Sequence, residues 1–101
     1  MKLYIDTSQR EEITISFDGE VFKTQSKKEK SQRLLPFIDE TLKKKKLTLK
    51  DLTEIKVNTG PGSFTGLKVG VSVAQALGWA LNIPVNGKDI KKGESIEIDY
   101  E

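Results

Sequence analysis

The sequence predicts an α/β fold with a mixed five-stranded sheet, in the element order β-β-β-α-β-α-β. Residues 2–25 alternate apolar and polar side chains as strands do, and two later stretches repeat apolar residues at helical spacing. Short apolar segments follow each of those helical stretches. Strands joined first by hairpins and then through helices form a sheet that is antiparallel at one edge and parallel at the other.

The first three strands are predicted at residues 2–6, 11–17 and 20–25. In the second, Ile13, Ile15 and Phe17 share one face, as the period of a pleated strand requires. Asp18-Gly19 follows it, and this pair favours a two-residue turn with positive φ at both positions. We therefore expect an antiparallel meander.

A first helix is predicted from about Ser31. Its apolar stripe consists of Leu34, Leu35, Ile38 and Leu42. A start at Ser31 places Pro36 beyond the first turn, where it removes a backbone hydrogen bond. A start nearer Leu35 makes the proline harmless, and both boundaries stay open.

The central strand is predicted at residues 54–58, around Ile55 and Val57. Just before it, Thr48 and Asp51 have the spacing of a capping box, which predicts one helical turn at about 49–52.

The second helix, from about residue 65 to 82, carries the most informative pattern. Lys68 is its only charged residue, and Gly66, Gly70, Ala74 and Gly78 form one stripe of small side chains. Because a glycine inside a helix costs about 1 kcal/mol relative to alanine, the stripe implies close approach of another backbone.

The other faces of this helix are also apolar, and the sheet covers only one side. We therefore expect an exposed interaction surface, for which Trp79 would be a suitable anchor. The alternative is that the first helix and the C-terminal tail cover the helix within the chain.

The glycine loop between the central strand and the second helix is a candidate anion site, through Gly60, Gly62 and Ser63. Its spacing matches neither a Walker A loop nor a dinucleotide fingerprint. Helix capping by Ser63 or Thr65 is the favoured role. The predicted element order is similar to that of actin-like ATPases, in which an acidic residue at the position of Asp6 helps to organise a metal and a nucleotide. For Asp6 itself, a local turn at the end of its strand is favoured.

Toward the C-terminus, residues 84–86 are predicted to form a final short parallel strand. Residues 95–100 alternate again, with Ile96, Ile98 and Tyr100 on one side, and are either an edge strand or a tail.

Composition excludes several function classes. The 101 residues include no Cys and no His, so thiol or imidazole catalysis and Cys- or His-based metal sites are impossible within the chain. The net charge of +2 lacks the excess of a strongly basic nucleic-acid binder. We expect a cytoplasmic protein, with no leader and no membrane span. The lysines at 43–46 suit a solvated helix C-terminus better than a contact to tRNA phosphates.

Several blocks of the sequence are similar to the TsaB (YeaZ) family. They are LYIDTS at 3–8, LLPFID at 34–39, LTLKDL at 47–52, GPGSFTGLKVG at 60–70 and NIPV at 82–85. The glycine-rich block is the most specific, and the resemblance covers residues 3 to about 87.

The resemblance implies a ribonuclease H-like, actin-like ATPase half-domain. It implies a non-catalytic subunit that needs no cofactor and supports formation of threonylcarbamoyladenosine in tRNA, touching tRNA only indirectly. The partner it implies is a TsaD catalytic subunit, bound through the two long helices, with TsaE as an ATPase docking on the pair. Self-association through the same surface is a further implication. The carried-over contact residues are Leu34, Leu35, Ile38, Leu42, Leu67, Gly70, Val73, Ala74 and Leu77.

The sequence departs from the family in several places. We expect residues 1–87 to be the N-terminal domain and 88–101 a tail, where typical members continue into a second domain. The chain is therefore either a minimal form or a fragment. Residues 28–30 stand where a His is common, Lys68 stands for Arg, and Trp79 replaces a smaller residue.

Two other functions compete with this one. The chain could be a nucleotide-binding fragment of the actin-like or sugar-kinase type, using Asp6 and the glycine loop. It could also be a homodimeric scaffold.

Overall fold

The computed structural model describes residues 1–26 and 29–99. Its strands are β1 (Lys2–Asp6), β2 (Glu12–Phe17), β3 (Glu20–Gln25) and β4 (Glu54–Val57), and its long helices are α1 (Lys30–Lys44) and α2 (Phe64–Leu81). Short 3-10 helices span Leu49–Asp51 and Ile90–Lys92. The sheet order is β3-β2-β1-β4, with β1 antiparallel to β2 and parallel to β4.

The predicted hairpin closes as its sequence requires. Asp18 and Gly19 have φ values of 49° and 91°, the positive pair that a two-residue turn of this type needs. Asp18 also ties the turn to β1, because its N–H donates to the Lys2 carbonyl at 3.0 Å and its carboxylate accepts the Lys2 N–H at 2.9 Å. The antiparallel meander is confirmed.

Both long helices pack on one face of the sheet. The core residues of the strands lie on that face: Leu3, Ile5, Ile13, Ile15, Phe17, Ile55 and Val57. The opposite face is polar and carries exposed ion pairs, Lys2 with Glu54 and Lys23 with Glu12. The described residues therefore form two layers. No helix among them is long and apolar enough to cross a membrane.

α1 contains Pro36 within its length, so the start near Ser31 is correct and the start near Leu35 is wrong. The helix holds together because Leu34 and Ile38, on either side of the proline, are buried together in the core. Pro36 itself is exposed, so the missing backbone hydrogen bond falls at the solvent side, where bending of a helix is best tolerated.

The predicted capping box is present. The Asp51 carboxylate accepts the Thr48 N–H at 2.8 Å, and the turn that follows Thr48 is a 3-10 helix.

The fifth predicted strand does not form. Val85 makes a single parallel bridge with Ile55, and then Asn86 and Gly87, with φ values of 50° and 77°, turn the chain back on itself. The Asn86 side chain replaces the missing strand residues. Its oxygen accepts the Val57 N–H at 2.8 Å and its nitrogen donates to the Val57 carbonyl at 3.1 Å. The side chain thus closes the edge of β4.

The C-terminal segment is a tail rather than an edge strand, since residues 94–99 have no regular structure. Its closest attachment is a hydrogen bond from the Asp99 N–H to the Thr59 carbonyl, at 2.7 Å. β4 offers it no free edge, because residues 84–86 already occupy that position. Tyr100, which the predicted alternation included, and Lys28, one of the family departures, lie outside the described residues.

Replacing Asn86 with alanine should destabilise the fold by about 1–3 kcal/mol, because the N–H and the carbonyl of Val57 lose their partners. Urea unfolding followed by circular dichroism measures this loss. Gln32→Ala, which removes an exposed carboxamide from α1, is the control and should stay within about 0.5 kcal/mol of the parent. Equal stability of the two variants would contradict the edge-closing role of Asn86.

Candidate partner-binding surface

The stripe of small residues on α2 faces the sheet of its own chain. A Cβ added at Gly66 would lie 2.5 Å from the Thr7 carbonyl oxygen, and one added at Gly78 would lie 2.5 Å from a methyl of Val85. The prediction of close approach by another backbone is therefore confirmed at Gly66, whereas the nearest neighbour of Gly78 is a side chain. That backbone belongs to the same molecule.

The tightest part of this contact is the Thr7 hydroxyl, which is fully buried. It donates to the Gly66 carbonyl at 2.5 Å and accepts the Gly70 N–H at 3.1 Å, two groups that pair with each other in a regular helix. A Cβ at Gly70 would lie 2.6 Å from this hydroxyl oxygen. The side chain of Thr7, the residue that follows β1, thus binds the backbone of α2 at Gly66 and Gly70.

Most of the predicted contact residues are buried in the core of the chain: Leu34, Ile38, Leu42, Leu67, Gly70, Ala74 and Leu77. Their contact with a partner stays a prediction. Helical spacing identified the apolar residues of each helix but not which of them the rest of the chain covers. Leu35 is 41% exposed and Val73 is half-buried, so these two still reach the surface.

The opposite side of α2 forms an outer face with little charge. It consists of Phe64, Thr65, Lys68, Ser72, Ala76, Trp79 and Ala80, all exposed, with Lys68 as the only charged member. Phe64 and Trp79 are 46% and 56% exposed and stand near the two ends of the helix. The Lys91 ammonium lies 5.8 Å from the centre of the Trp79 ring. We call this surface the outer α2 face.

The glycine loop is explained by packing and capping. The Ser63 hydroxyl accepts the Gly66 N–H at 3.3 Å, so Ser63 rather than Thr65 caps α2. A Cβ at Gly60 would lie 2.0 Å from the Asp99 carbonyl oxygen, and one at Gly62 would lie 2.9 Å from the Cβ of Ser8. Anion binding by Gly60, Gly62 and Ser63 stays a prediction.

Asp6 ends β1 in a local hydrogen-bonded turn. Its Oδ1 accepts the Ser8 N–H at 2.9 Å, the Ser8 hydroxyl at 2.6 Å and the Asn58 side-chain amide at 3.1 Å. Burial raises the pKa of this carboxyl. The hydrogen bonds and the nearby Lys30 charge outweigh burial and leave the pKa below its ordinary value. The described ranges contain no acidic cluster that could hold a metal ion.

Lys30, at the start of α1, is a contact that sequence reasoning missed. Its ammonium donates to the carbonyls of Thr7, at 3.2 Å, and Gln9. Burial lowers the pKa of this ammonium, and the charges of Asp6 and Glu12 partly oppose that shift. The side chain therefore ties α1 to the turn after β1.

A cleft of 540 Å³ opens where the two helices begin, beside this turn. Its charged lining residues are two basic ones, Arg10 and Lys30, and two acidic ones, Glu11 and Glu29. The charges of the described lining residues therefore balance.

A family model described as "TsaD: tRNA N6-adenosine threonylcarbamoyltransferase" matches residues 7–87. A TsaB protein of Buchnera aphidicola is 43% identical over 61 residues, covering 60% of this chain and 29% of that relative. The TsaB of Bacillus subtilis is 40% identical over 63 residues, covering 62% of this chain and 28% of that relative. Both are named tRNA threonylcarbamoyladenosine biosynthesis proteins.

The chain belongs to the TsaB (YeaZ) family. Among solved structures, YeaZ from Pseudomonas aeruginosa matches with a TM-score of 0.69 and 31% identity, over 83% of this chain and 41% of that one. A second structure, a Pseudomonas aeruginosa protein described as similar to peptidase YeaZ, matches with a TM-score of 0.70. The chain thus shares the family fold and spans less than a third of the length of the curated TsaB relatives above.

The lysine run at 43–46 lies at the C-terminal end of α1, and two of its members form ion pairs within the chain. Lys43 pairs with Asp39 at 3.0 Å, and Lys45 pairs with Glu20 while lying 5.8 Å from the centre of the Phe22 ring. These contacts support the favoured interpretation of a helix C-terminus, and tRNA contact by this run stays a prediction.

Gly70→Ala should destabilise the chain by about 2 kcal/mol, because overpacking against Thr7 exceeds the gain of about 1 kcal/mol in helix propensity. Urea unfolding gives the value. Ser72→Ala, at an exposed position of the same helix, should be neutral or slightly stabilising. A Gly70→Ala variant as stable as Ser72→Ala would mean that α2 does not pack closely against Thr7 at this position.

Ser8→Ala should raise the pKa of Asp6, because the carboxylate loses its shortest hydrogen bond. A lowered pKa in the folded state stabilises the fold above the unfolded-state pKa, and this contribution is lost as pH falls through the folded-state value. In Ser8→Ala this contribution should therefore be smaller, and its loss should be complete at a higher pH than in the parent. NMR titration of the Asp6 carboxyl measures the shift, with Ser72→Ala as the control. An unchanged pKa would contradict the assignment.

Proposed function

We propose that this chain is a non-catalytic subunit in the biosynthesis of threonylcarbamoyladenosine in tRNA, and that its outer α2 face binds a TsaD-like catalytic subunit. It would act in the cytoplasm and touch tRNA only through that partner. A TsaE-like ATPase and self-association through the same face are further associations that the family resemblance implies.

The observation that carries the proposal is the composition of the outer α2 face. An 18-residue helix is about 27 Å long, and this one exposes an aromatic side chain near each end with a single charge between them. Protein interfaces typically have cores depleted of charge and enriched in aromatic residues. Leu35 on the neighbouring α1 adds a further exposed apolar side chain.

The names of the relatives support the choice of pathway and partner. The TsaB proteins are named for threonylcarbamoyladenosine biosynthesis, and the matching family model is that of the TsaD transferase. Identical subunits most often pair through the same surface patch on each, which closes the pair, and we extend this arrangement to two proteins that match one family model. A TsaD-like protein is therefore the partner that we propose for this face.

A non-catalytic role is supported by the chemistry of the chain. Its sequence has neither His nor Cys, and so lacks the residues most often used as general base or thiol nucleophile. One carboxylate oxygen of Asp6, the residue considered for organising a metal and a nucleotide, already accepts hydrogen bonds from Ser8 and Asn58. These contacts also weigh against the nucleotide-binding alternative.

The proposal is tested by mixing the chain with a TsaD-like protein of the same organism and measuring affinity by calorimetry and complex size by gel filtration. Ser72→Glu and Ala76→Glu each place a charge in the outer α2 face and should weaken binding at least tenfold, since an unpaired charge is costly to bury. Both positions are exposed, so stability should change by no more than about 0.5 kcal/mol.

Val21→Glu is the matched control. Val21 is 56% exposed, as Trp79 is, but lies on β3, and its substitution should leave binding unchanged. Wild-type affinity in both helix variants would reject the outer α2 face as the interface. If instead the chain alone forms dimers that Ala76→Glu dissociates, and no TsaD-like protein binds, the homodimeric scaffold is the correct function.

A further inference from the structure

We infer that residues 94–99 form a releasable strap that holds the glycine loop, and through it the first turn of α2, in its present conformation. Only the effect on partner binding rests on the proposed function. The holding of the loop is a property of the chain alone.

The strap contacts the loop through backbone atoms. The Asp99 N–H donates to the Thr59 carbonyl at 2.7 Å. The next loop residue, Gly60, lies so close that a Cβ there would be 2.0 Å from the Asp99 carbonyl oxygen. Gly60 also has a φ of 127°, a conformation that other residues rarely adopt. The glycine is therefore required both by its own conformation and by the strap that lies on it.

The other side of the glycine loop is held by Asn58 and by Ser8, in the turn after β1. The Asn58 side-chain oxygen accepts the Gly60 N–H at 3.0 Å, and Gly62 lies against Ser8. The loop is consequently clamped between the strap and the cluster around Asp6. Removing the strap would leave it held from one side only.

The strap is held more weakly than the elements that it touches. Glu94, Ser95, Glu97 and Asp99 are exposed, and only Ile96 and Ile98 pack partly against the core. Its beginning is fixed by the turn before it, where Glu94 accepts the Asp89 N–H at 2.5 Å. Segments with few buried contacts and no regular hydrogen bonding open at low free-energy cost. The strap can thus be released while the sheet and helices stay folded.

Release of the strap would affect the outer α2 face through the glycine loop. The glycine loop ends at Ser63, which caps α2, and the next residue is the exposed Phe64. A loop that is free on one side gives the cap and Phe64 more freedom, and ordering them again on binding costs free energy. The strap therefore favours partner binding by keeping the start of α2 in place.

The test is hydrogen exchange by mass spectrometry on the full chain. Ile98→Ala removes a half-buried strap side chain, and Asp99→Pro removes the N–H that bonds to Thr59 without altering any buried side chain. In both variants the backbone amides of residues 59–66 should exchange at least tenfold faster than in the parent chain. The exchange rates of the α1 amides should be unchanged. Glu97→Ala, at an exposed strap position, is the matched control and should exchange like the parent chain.

Unchanged exchange within 59–66 in Asp99→Pro would overturn the inference. Equal acceleration throughout the chain in both variants would also overturn it, because Ile98 and Asp99 would then be ordinary parts of the global fold. The affinity of Asp99→Pro for the TsaD-like protein should fall at least threefold. If no TsaD-like protein binds even the parent chain, the proposed function fails while the exchange result still decides the strap.

Discussion

The contact between the Thr7 hydroxyl and the backbone of α2 sets the geometry of the molecule. The contact requires a helix surface without side chains at Gly66 and Gly70. These two glycines provide that surface, although glycine destabilises a helix. In return, the end of β1 meets the helix at hydrogen-bonding distance rather than at the spacing that larger side chains would impose. The orientation of α2 about its axis follows from this contact.

That orientation decides which residues remain for other molecules. The side of α2 with small and aliphatic residues packs against β1, β4 and Val85. The outer α2 face is the side that stays exposed to solvent. The other face of the sheet is polar and carries ion pairs of the exposed kind that contribute little to stability. Within the described residues, the helices therefore carry most of the exposed large apolar side chains, with Val21 on β3 as the exception.

Local sequence signals predict much of the fold, but they do not predict which side of each helix the rest of the chain covers. Alternation and the Asp18-Gly19 pair specified the meander because both act between neighbouring residues. Helical spacing specified an apolar stripe on each long helix but not its covering, so Leu34 and Leu67 were assigned to a partner although the sheet buries them. The fifth strand failed because Asn86-Gly87, a strong turn signal, ends it after one bridge. Lys30 and the strap depend on contacts between distant residues that no local pattern records.

The closure of β4 by Asn86 has a consequence for contacts between copies of the chain. A sheet edge with unpaired peptide groups is a template on which another strand can add, and natural proteins block such edges. Here one carboxamide occupies both hydrogen-bonding groups of Val57, so the parallel side of the sheet is blunted. In the described part of the chain, β-type aggregation would therefore have to begin at β3, where Glu20 and Lys23 bring charge to the one edge left open.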